Sequence, residues 1–356
     1  MQRPHLSFPK RFGKIAAMPT IRDVAKTLNL SITTVSRALD GYDDVSKETR
    51  QRVIETARTM GYVPNRAARQ LRRQRTDTIG YIVPAEKPQF ADPFFAEFVA
   101  GLGDEAASAN YDLLVSTAPP NSPEEQALYR RWIQGGKVDG VVINRTRLSD
   151  WRVNFLRETK LPFTCLERSL DQGEEFLGVE TDIEDGYHEL IGHLVNQGHS
   201  RIAFIGADAS LKVQYDRLRA FQQALKSLGI LPQAHLVIEG DLTPEGGYQA
   251  MLRLLALDQP PSAVVCVNDL TAIGAIHAAH DNHCVIGRDL AIAGFDGIAD
   301  SAHTQPPLTT LDQPVYAIAR TLARLLLQAI AREEIVQRVI TIKPILLIRA
   351  SSGGKR

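Results

Sequence analysis

The residues best suited to chemistry form a short polar face. Ile32, Thr33, Ser36 and Arg37 are the outward positions expected of "SITTVSRALDG" (31 to 41). An arginine can grip guanine O6 and N7 with two parallel N–H donors. An isoleucine side chain or a threonine methyl can touch a thymine methyl. Thr20, Ser31, Thr34 and Lys47 lie nearby and suit phosphate oxygens, which fix position on a duplex without reading its sequence. The chemistry on offer is recognition of a groove, not bond making. A second group is "PNRAARQLRRQR" (64 to 75), with five arginines, no acid and one large apolar side chain, Leu71. A core segment would not carry that charge, and a solvated loop has no need of the leucine.

Three short helices must position these groups. In "TIRDVAKTLNL", Thr20 serves as N-cap with Asp23 three residues on, and Ile21, Val24, Ala25 and Leu28 share one face. Ser31 caps the second helix, whose inner side is Val35, Ala38 and Leu39, and Gly41 stops it. Ser46 caps a third, with Val53, Ile54, Ala57 and Met60 as its stripe, ended by Gly61 and Pro64. The first two helices, joined by "NLS", have helix-turn-helix spacing, in which the second helix enters the major groove.

Charge is unevenly spread along the 356 residues, although the total is zero. Residues 18 to 75 hold twelve Arg and Lys against six Asp and Glu, and residues 1 to 17 add four bases and no acid. The remainder carries 25 bases against 35 acids. A basic head on an acidic body points the head toward a polyanion. Cys165, Cys266 and Cys284 form no disulfide framework, which fits a reducing, cytoplasmic compartment. Residues 1 to 17 lack the continuous apolar stretch of a secretory signal and read as a disordered leader or an upstream start, with Met18 as the true start. No apolar run approaches the roughly 18 residues of a membrane span, so no membrane partner is expected.

From residue 78 the texture changes. Apolar runs such as "TIGYIV", "YDLLVST", "VDGVVIN", "PFTCLE", "RIAFIGA", "HLVIEG", "SAVVCVN" and "LAIAGFD" alternate with amphipathic stretches such as "FFAEFVAGLGDEAASAN" and "DRLRAFQQALKSLG". Strands separated by helices mean parallel sheets covered on both faces. Eight such units suit one barrel or two open sheets. A break at "GVETDIEDG" (178 to 186) favours two doubly wound lobes with ligands at the strands' carboxyl ends. Arg145 in "NRTR", and Glu167 and Arg168 in "LERS", stand at such ends.

The head sequence "TIRDVAKTLNLSITTVSRALDG", followed by "VSKETRQRVIETARTMGYVPNRAARQL", resembles the lactose-repressor/galactose-repressor family of bacterial transcription regulators. The likeness continues in "DPFF" (92 to 95), "DGVVI", "GHSRIAFIG", "RLRAFQQAL", "VNDLTAIGA", "GFD" (294 to 296) and "PPLTTLDQP", and so covers nearly everything after Met18. It implies an all-α helix-turn-helix domain (18 to 64), a hinge helix and linker (65 to 77), and a two-lobed periplasmic-binding-protein-like α/β body (78 to 356). Lobe 1 would take about 78–179 plus 313–340, and lobe 2 about 180–312 plus 341–351. It implies a homodimer, or a tetramer of such dimers, on a near-palindromic operator. The resemblance also implies that the hinge helix, with Asn65, Arg66, Ala68, Arg69 and Arg72, orders in the minor groove. There Leu71 would act as an apolar wedge.

For the body, the resemblance implies a small-molecule effector, a sugar or glycoside, and no cofactor. It would be held by Asp92 and Phe95 from the first lobe and Arg217, Asn268, Asp269 and Asp296 from the second. Carboxylates and an amide match adjacent hydroxyls, and a ring covers an apolar sugar face. Leu242 departs from the pattern, standing where some sugar-binding relatives carry an aromatic, so a nucleoside or other metabolite stays open. A competing reading, a sugar-modifying enzyme with a DNA-binding head, needs a catalytic constellation. The sequence offers no phosphate loop and no G-x-S-x-G elbow. His277, His280, His283 and Cys284 fall within eight residues, but on a helix expected to pack on a sheet, with no second ligand cluster.

Overall fold

The computed structural model describes residues 19–62, 75–85, 92–170, 173 and 176–353. They fall into two units, a head ending at Arg75 and a body from Thr76, described separately below.

In the head, α1 (Ile21–Leu28), α2 (Ile32–Leu39) and α3 (Lys47–Thr59) start where the caps predict. The Thr20 N–H and hydroxyl both donate to Asp23 Oδ2 at 2.7 Å. Ser31 Oγ accepts the Thr34 N–H at 3.0 Å, and Ser46 Oγ accepts that of Thr49 at 3.2 Å. These bonds satisfy N–H groups that a helix start leaves without partners. Val24, Ala25, Val35, Ala38, Val45, Val53 and Ala57 close the core. Ile54 does not join them. It is 47% exposed, because Val53 and Ala57, four residues apart, set the inward line of α3 and turn Ile54 off its edge. Within the interval 19–62 the charge is nearly balanced, seven bases to six acids, so the basicity of the head is concentrated in residues 64 to 75.

The body is built on two six-stranded sheets. The first runs β11-β5-β4-β3-β1-β2 and contains β1 (Thr78–Pro84), β2 (Asp112–Ala118), β3 (Gly140–Ile143), β4 (Phe163–Leu166), β5 (Gly178–Thr181) and β11 (Val339–Ile342). The second runs β12-β10-β9-β8-β6-β7 and contains β6 (Ile202–Ile205), β7 (Val237–Ile238), β8 (Ala263–Cys266), β9 (Ala291–Asp296), β10 (Thr309–Asp312) and β12 (Ile345–Leu347). Every pairing is parallel except β10 with β12. The lobes are therefore doubly wound, as read from the sequence.

Helices α4 (Pro93–Ser108) and α11 (Val315–Ala331) cover one face of the first sheet, and α5 (Pro123–Gln134) and α6 (Trp151–Thr159) the other. On the second sheet the pairs are α7 (Glu184–Asn196) with α8 (Lys212–Ser227), and α9 (Pro244–Leu255) with α10 (Asp269–Asp281). The chain passes between sheets after β5, after β10 and after β11. Because β11 reaches Ile342, the last crossing falls beyond residue 340, where the lobe boundary was expected. In each sheet the winding direction reverses beside the first strand of the lobe, β1 or β6, which opens a crevice at the carboxyl ends.

Candidate ligand cleft and nucleic-acid face

The strand ends of both lobes line one cavity of about 730 Å³, counting its open mouth. Asp92, Phe94, Asn144, Arg145, Leu166, Glu167 and Thr181 come from the first lobe, and Asp216, Arg217, Leu242, Asn268, Asp296 and Gln313 from the second. Four lining residues that are not glycine have left-handed backbone: Arg145 (φ 46°), Glu167 (67°), Leu242 (67°) and Asp296 (113°). Such conformations cost energy and persist only where the surroundings impose them. They turn each side chain sharply out of the strand, or out of the loop in the case of Leu242, into the crevice.

The second-lobe wall is fully tied. Arg217 lies flat on the Phe295 ring at 3.6 Å, donates to Asp296 Oδ1 at 3.1 Å, and donates to the Val267 carbonyl. Gln313 Nε2 donates to Asp296 Oδ1 at 2.7 Å. Burial pushes the Asp296 carboxyl up to about 6, against the Arg217 charge. Asn268 caps α10 through Thr271 N–H at 3.0 Å and donates to the Leu242 carbonyl at 3.2 Å. Behind this wall, Asp269 Oδ1 accepts from Thr310 at 2.6 Å and Oδ2 accepts the Ile298 N–H at 2.9 Å. Gly294 is required there, since a Cβ would sit 2.2 Å from Asp269 Oδ1.

The first-lobe wall is looser. Arg145 covers the Phe95 ring at 4.6 Å and donates to Asp92 Oδ2 at 3.0 Å. Arg152, buried on α6, pairs with Asp150 at 2.7 Å. It also donates to the carbonyls of Asn144 (3.3 Å) and Arg145 (3.1 Å), so it fixes the strained turn. The Asn144 amide and the Tyr81 hydroxyl are buried side by side, and their mutual contact, outside ordinary hydrogen-bond geometry, is the polar contact each has among the described residues. Burial, with Asp216 adding to it, pushes the Glu167 carboxyl up to about 7.

The lobes also meet beside the cavity. Arg147 and Leu211 form an isolated antiparallel bridge. The Lys212 N–H donates to the Thr146 carbonyl, and the Leu148 N–H to that of Ser210, both at 2.9 Å.

In the head, Ile32 (45% exposed) and Thr33 project from the start of α2, and Thr20, Ser31 and Lys47 are exposed. Arg37 lies at the other end of α2, over Tyr42 at 4.6 Å and paired with Asp44 at 2.6 Å. The Thr34 hydroxyl meets Ser31 Oγ at 2.8 Å.

Residues 20–65 match the family described as "Bacterial regulatory proteins, lacI family", and residues 191–352 match "Periplasmic binding protein-like domain". The regulator AglR of Rhizobium meliloti (strain 1021) is 33% identical over 337 residues, 94% of each chain. The repressor CytR of Escherichia coli (strain K12) is 33% identical over 94% of this chain and 96% of its own. This chain belongs to the LacI family of bacterial transcription regulators. It is a DNA-binding regulator with a helix-turn-helix head and a two-lobed body, and these relatives are named as regulators rather than enzymes.

Among solved structures, a CelR–cellobiose complex is similar at 30% identity and a TM-score of 0.73, covering 94% of this chain and 99% of that one. A lac repressor dimer bound to operator and the anti-inducer ONPF is similar at 26% identity and a TM-score of 0.80, with the same coverage.

Against this LacI-family frame, Asp92, Arg145, Glu167, Arg217, Leu242, Asn268 and Asp296 do meet at one cavity. Three expected residues do not line it. Phe95 is buried under Arg145, and its neighbour Phe94 takes the wall, because packing of α4 sets the phase. Arg168 turns away to Glu180 at 3.0 Å and over Phe176 at 5.0 Å. Asp269 is wholly buried behind the wall. In the head, Ser36 was expected outward but is buried, one helical turn after Ile32 and within reach of Asp40 at 3.5 Å. Asn65, Arg66, Ala68, Arg69, Leu71 and Arg72 lie outside the described residues. Sequence reasoning missed Asn144, Asp216, Gln313 and Thr181. Asn144 directly precedes Arg145 at the end of β3, and that position was a usable signal.

Proposed function

We propose that this LacI-family regulator is a homodimeric repressor of a near-palindromic operator, and that a sugar or glycoside bound between the lobes sets its affinity for DNA. The observation that carries the reading is the cavity itself. Polar and charged strand-end residues from both lobes converge on it, as a polyol requires, and Phe94 supplies an aromatic ring to its wall. The CelR–cellobiose complex supports a sugar, and the operator-bound lac repressor dimer supports the paired heads. In this reading α2 enters the major groove with Ile32 and Thr33 leading. Arg37 reaches a guanine only by leaving Asp44, an exposed ion pair worth little, so the exchange is cheap. Leu71 wedges a base step and bends the duplex.

Fluorescence anisotropy with DNA from the protein's own promoter region tests this. One neutral sugar should change the affinity about 5- to 150-fold, the usual range of such coupling. If no sugar changes it, the effector assignment fails. Arg37→Ala should relax sequence preference, and unchanged preference would count against the groove assignment. Leu71→Ala should weaken operator binding while sparing sugar binding. Equal loss of both would point to a folding role instead.

A further inference from the structure

The cavity carries a charge pattern that the family resemblance does not dictate. Four carboxylates line it, Asp92, Glu167, Asp216 and Asp296, against two guanidinium groups, Arg145 and Arg217. Both guanidinium groups are already engaged, Arg145 with Asp92 at 3.0 Å and Arg217 with Asp296 at 3.1 Å, and each lies over a phenylalanine ring. Lys212 is held by Asp216. The remaining carboxylate, Glu167, accepts the Thr181 N–H at 3.1 Å and has no ion pair among the described residues. A phosphate entering this space would lose its hydration in a partly desolvated site and meet no uncommitted cation among the described lining residues.

An independent observation says what is wanted instead. Asn144 is 1% exposed, lines the cavity, and faces the Tyr81 hydroxyl only outside ordinary hydrogen-bond geometry. Buried polar groups are almost always satisfied, so a buried side-chain amide with one weak polar contact has capacity left for a partner that donates and accepts, as a hydroxyl does. Resting on the sugar reading above, we infer that the cleft selects uncharged polyhydroxylated ligands over their phosphorylated forms, with Asn144 as the first-lobe hydrogen-bonding residue and Asp216 as the group that keeps Lys212 from an anion.

The test is calorimetric titration of the full chain with matched pairs: glucose, cellobiose and trehalose against their 6-phosphates, and adenosine against its 5′-monophosphate. At least one uncharged member should bind, with its phosphate about tenfold weaker or worse. Asn144→Ala should lower that affinity about tenfold, the worth of a buried hydrogen bond. If Asn144→Ala fails to fold by circular dichroism, Asn144→Gln, which keeps the amide but misplaces it, takes its place with the same expectation. Asp216→Asn, which releases Lys212, should narrow the gap between sugar and phosphate. A phosphate that binds as tightly as its parent, or a gap that Asp216→Asn leaves intact, overturns the inference while leaving the sugar reading in place. Adenosine alone binding, with its monophosphate excluded, overturns the sugar reading but keeps the charge selectivity. Binding by no member overturns both.

Discussion

The two walls of the cleft differ in how completely their polar groups are used. On the second lobe Arg217, Asp296, Gln313 and Asn268 satisfy one another, and the guanidinium is pressed on Phe295. On the first lobe the Asn144 amide has only a loose contact with the Tyr81 hydroxyl, Glu167 has no ion pair among the described residues, and the Arg145 side chain keeps 26% of its surface exposed. The satisfied wall is a preorganised platform, which lowers the ordering cost of binding. The unsatisfied wall is where a ligand gains most, because it relieves groups that the empty protein leaves unmatched.

The contrast can be broken most forcefully at Arg217. Arg217→Ala strands the buried Asp296 carboxylate and should cost about 3–5 kcal/mol of body stability, read by urea unfolding. A loss below about 1 kcal/mol would mean the second wall is not a tied unit.

Glu167 sharpens the contrast through pH. Its folded value, about 7, lies above the usual 4.5, so its contribution to stability is full below pH 4.5 and is lost as pH rises through about 7. The melting temperature of the wild type relative to Glu167→Gln should therefore decline across that window. Asp296, pushed up to about 6, adds a decline of the same sign to both proteins. Parallel profiles would show that Glu167 is not held in the protonated form.

The smallest effect belongs to Asn144. Without ligand, Asn144→Ala should change stability by no more than about 1 kcal/mol, since it removes an amide with only a loose contact to the Tyr81 hydroxyl. A larger loss would reveal a hidden structural partner.

Much of this was legible in the sequence because local rules decided it. The caps at Thr20, Ser31 and Ser46 and the apolar strands needed no tertiary information. What was missed was decided by packing. The strands β5, β10, β11 and β12 are as short as β3, β4, β6 and β8, but they are more polar or more exposed and exist through their neighbours, so they carry a weaker apolar signal. Helices α6 and α9 fill places in the strand–helix alternation that the sequence shows, and α11 buries its apolar stripe against the first sheet. Phase misled in three places: Phe94 against Phe95 on α4, Ser36 on α2 and Ile54 on α3. In each, a shift of one residue exchanges an inner for an outer position, and only the packed partner settles which is inner. Charged strand ends were easy to select. The neutral Asn144 was passed over in favour of its charged neighbour, although burial with only a loose polar contact marks it more strongly.

The central claim is that one cleft ligand and operator DNA are coupled through this chain. Linkage requires the effect to be reciprocal. The measurement is the dissociation constant of the best neutral sugar by calorimetry, first with free protein and then with protein saturated by operator DNA. The account predicts that operator changes sugar affinity by the same factor by which sugar changes operator affinity. A sugar constant unchanged by operator, beside a DNA affinity that responds to sugar, would contradict it.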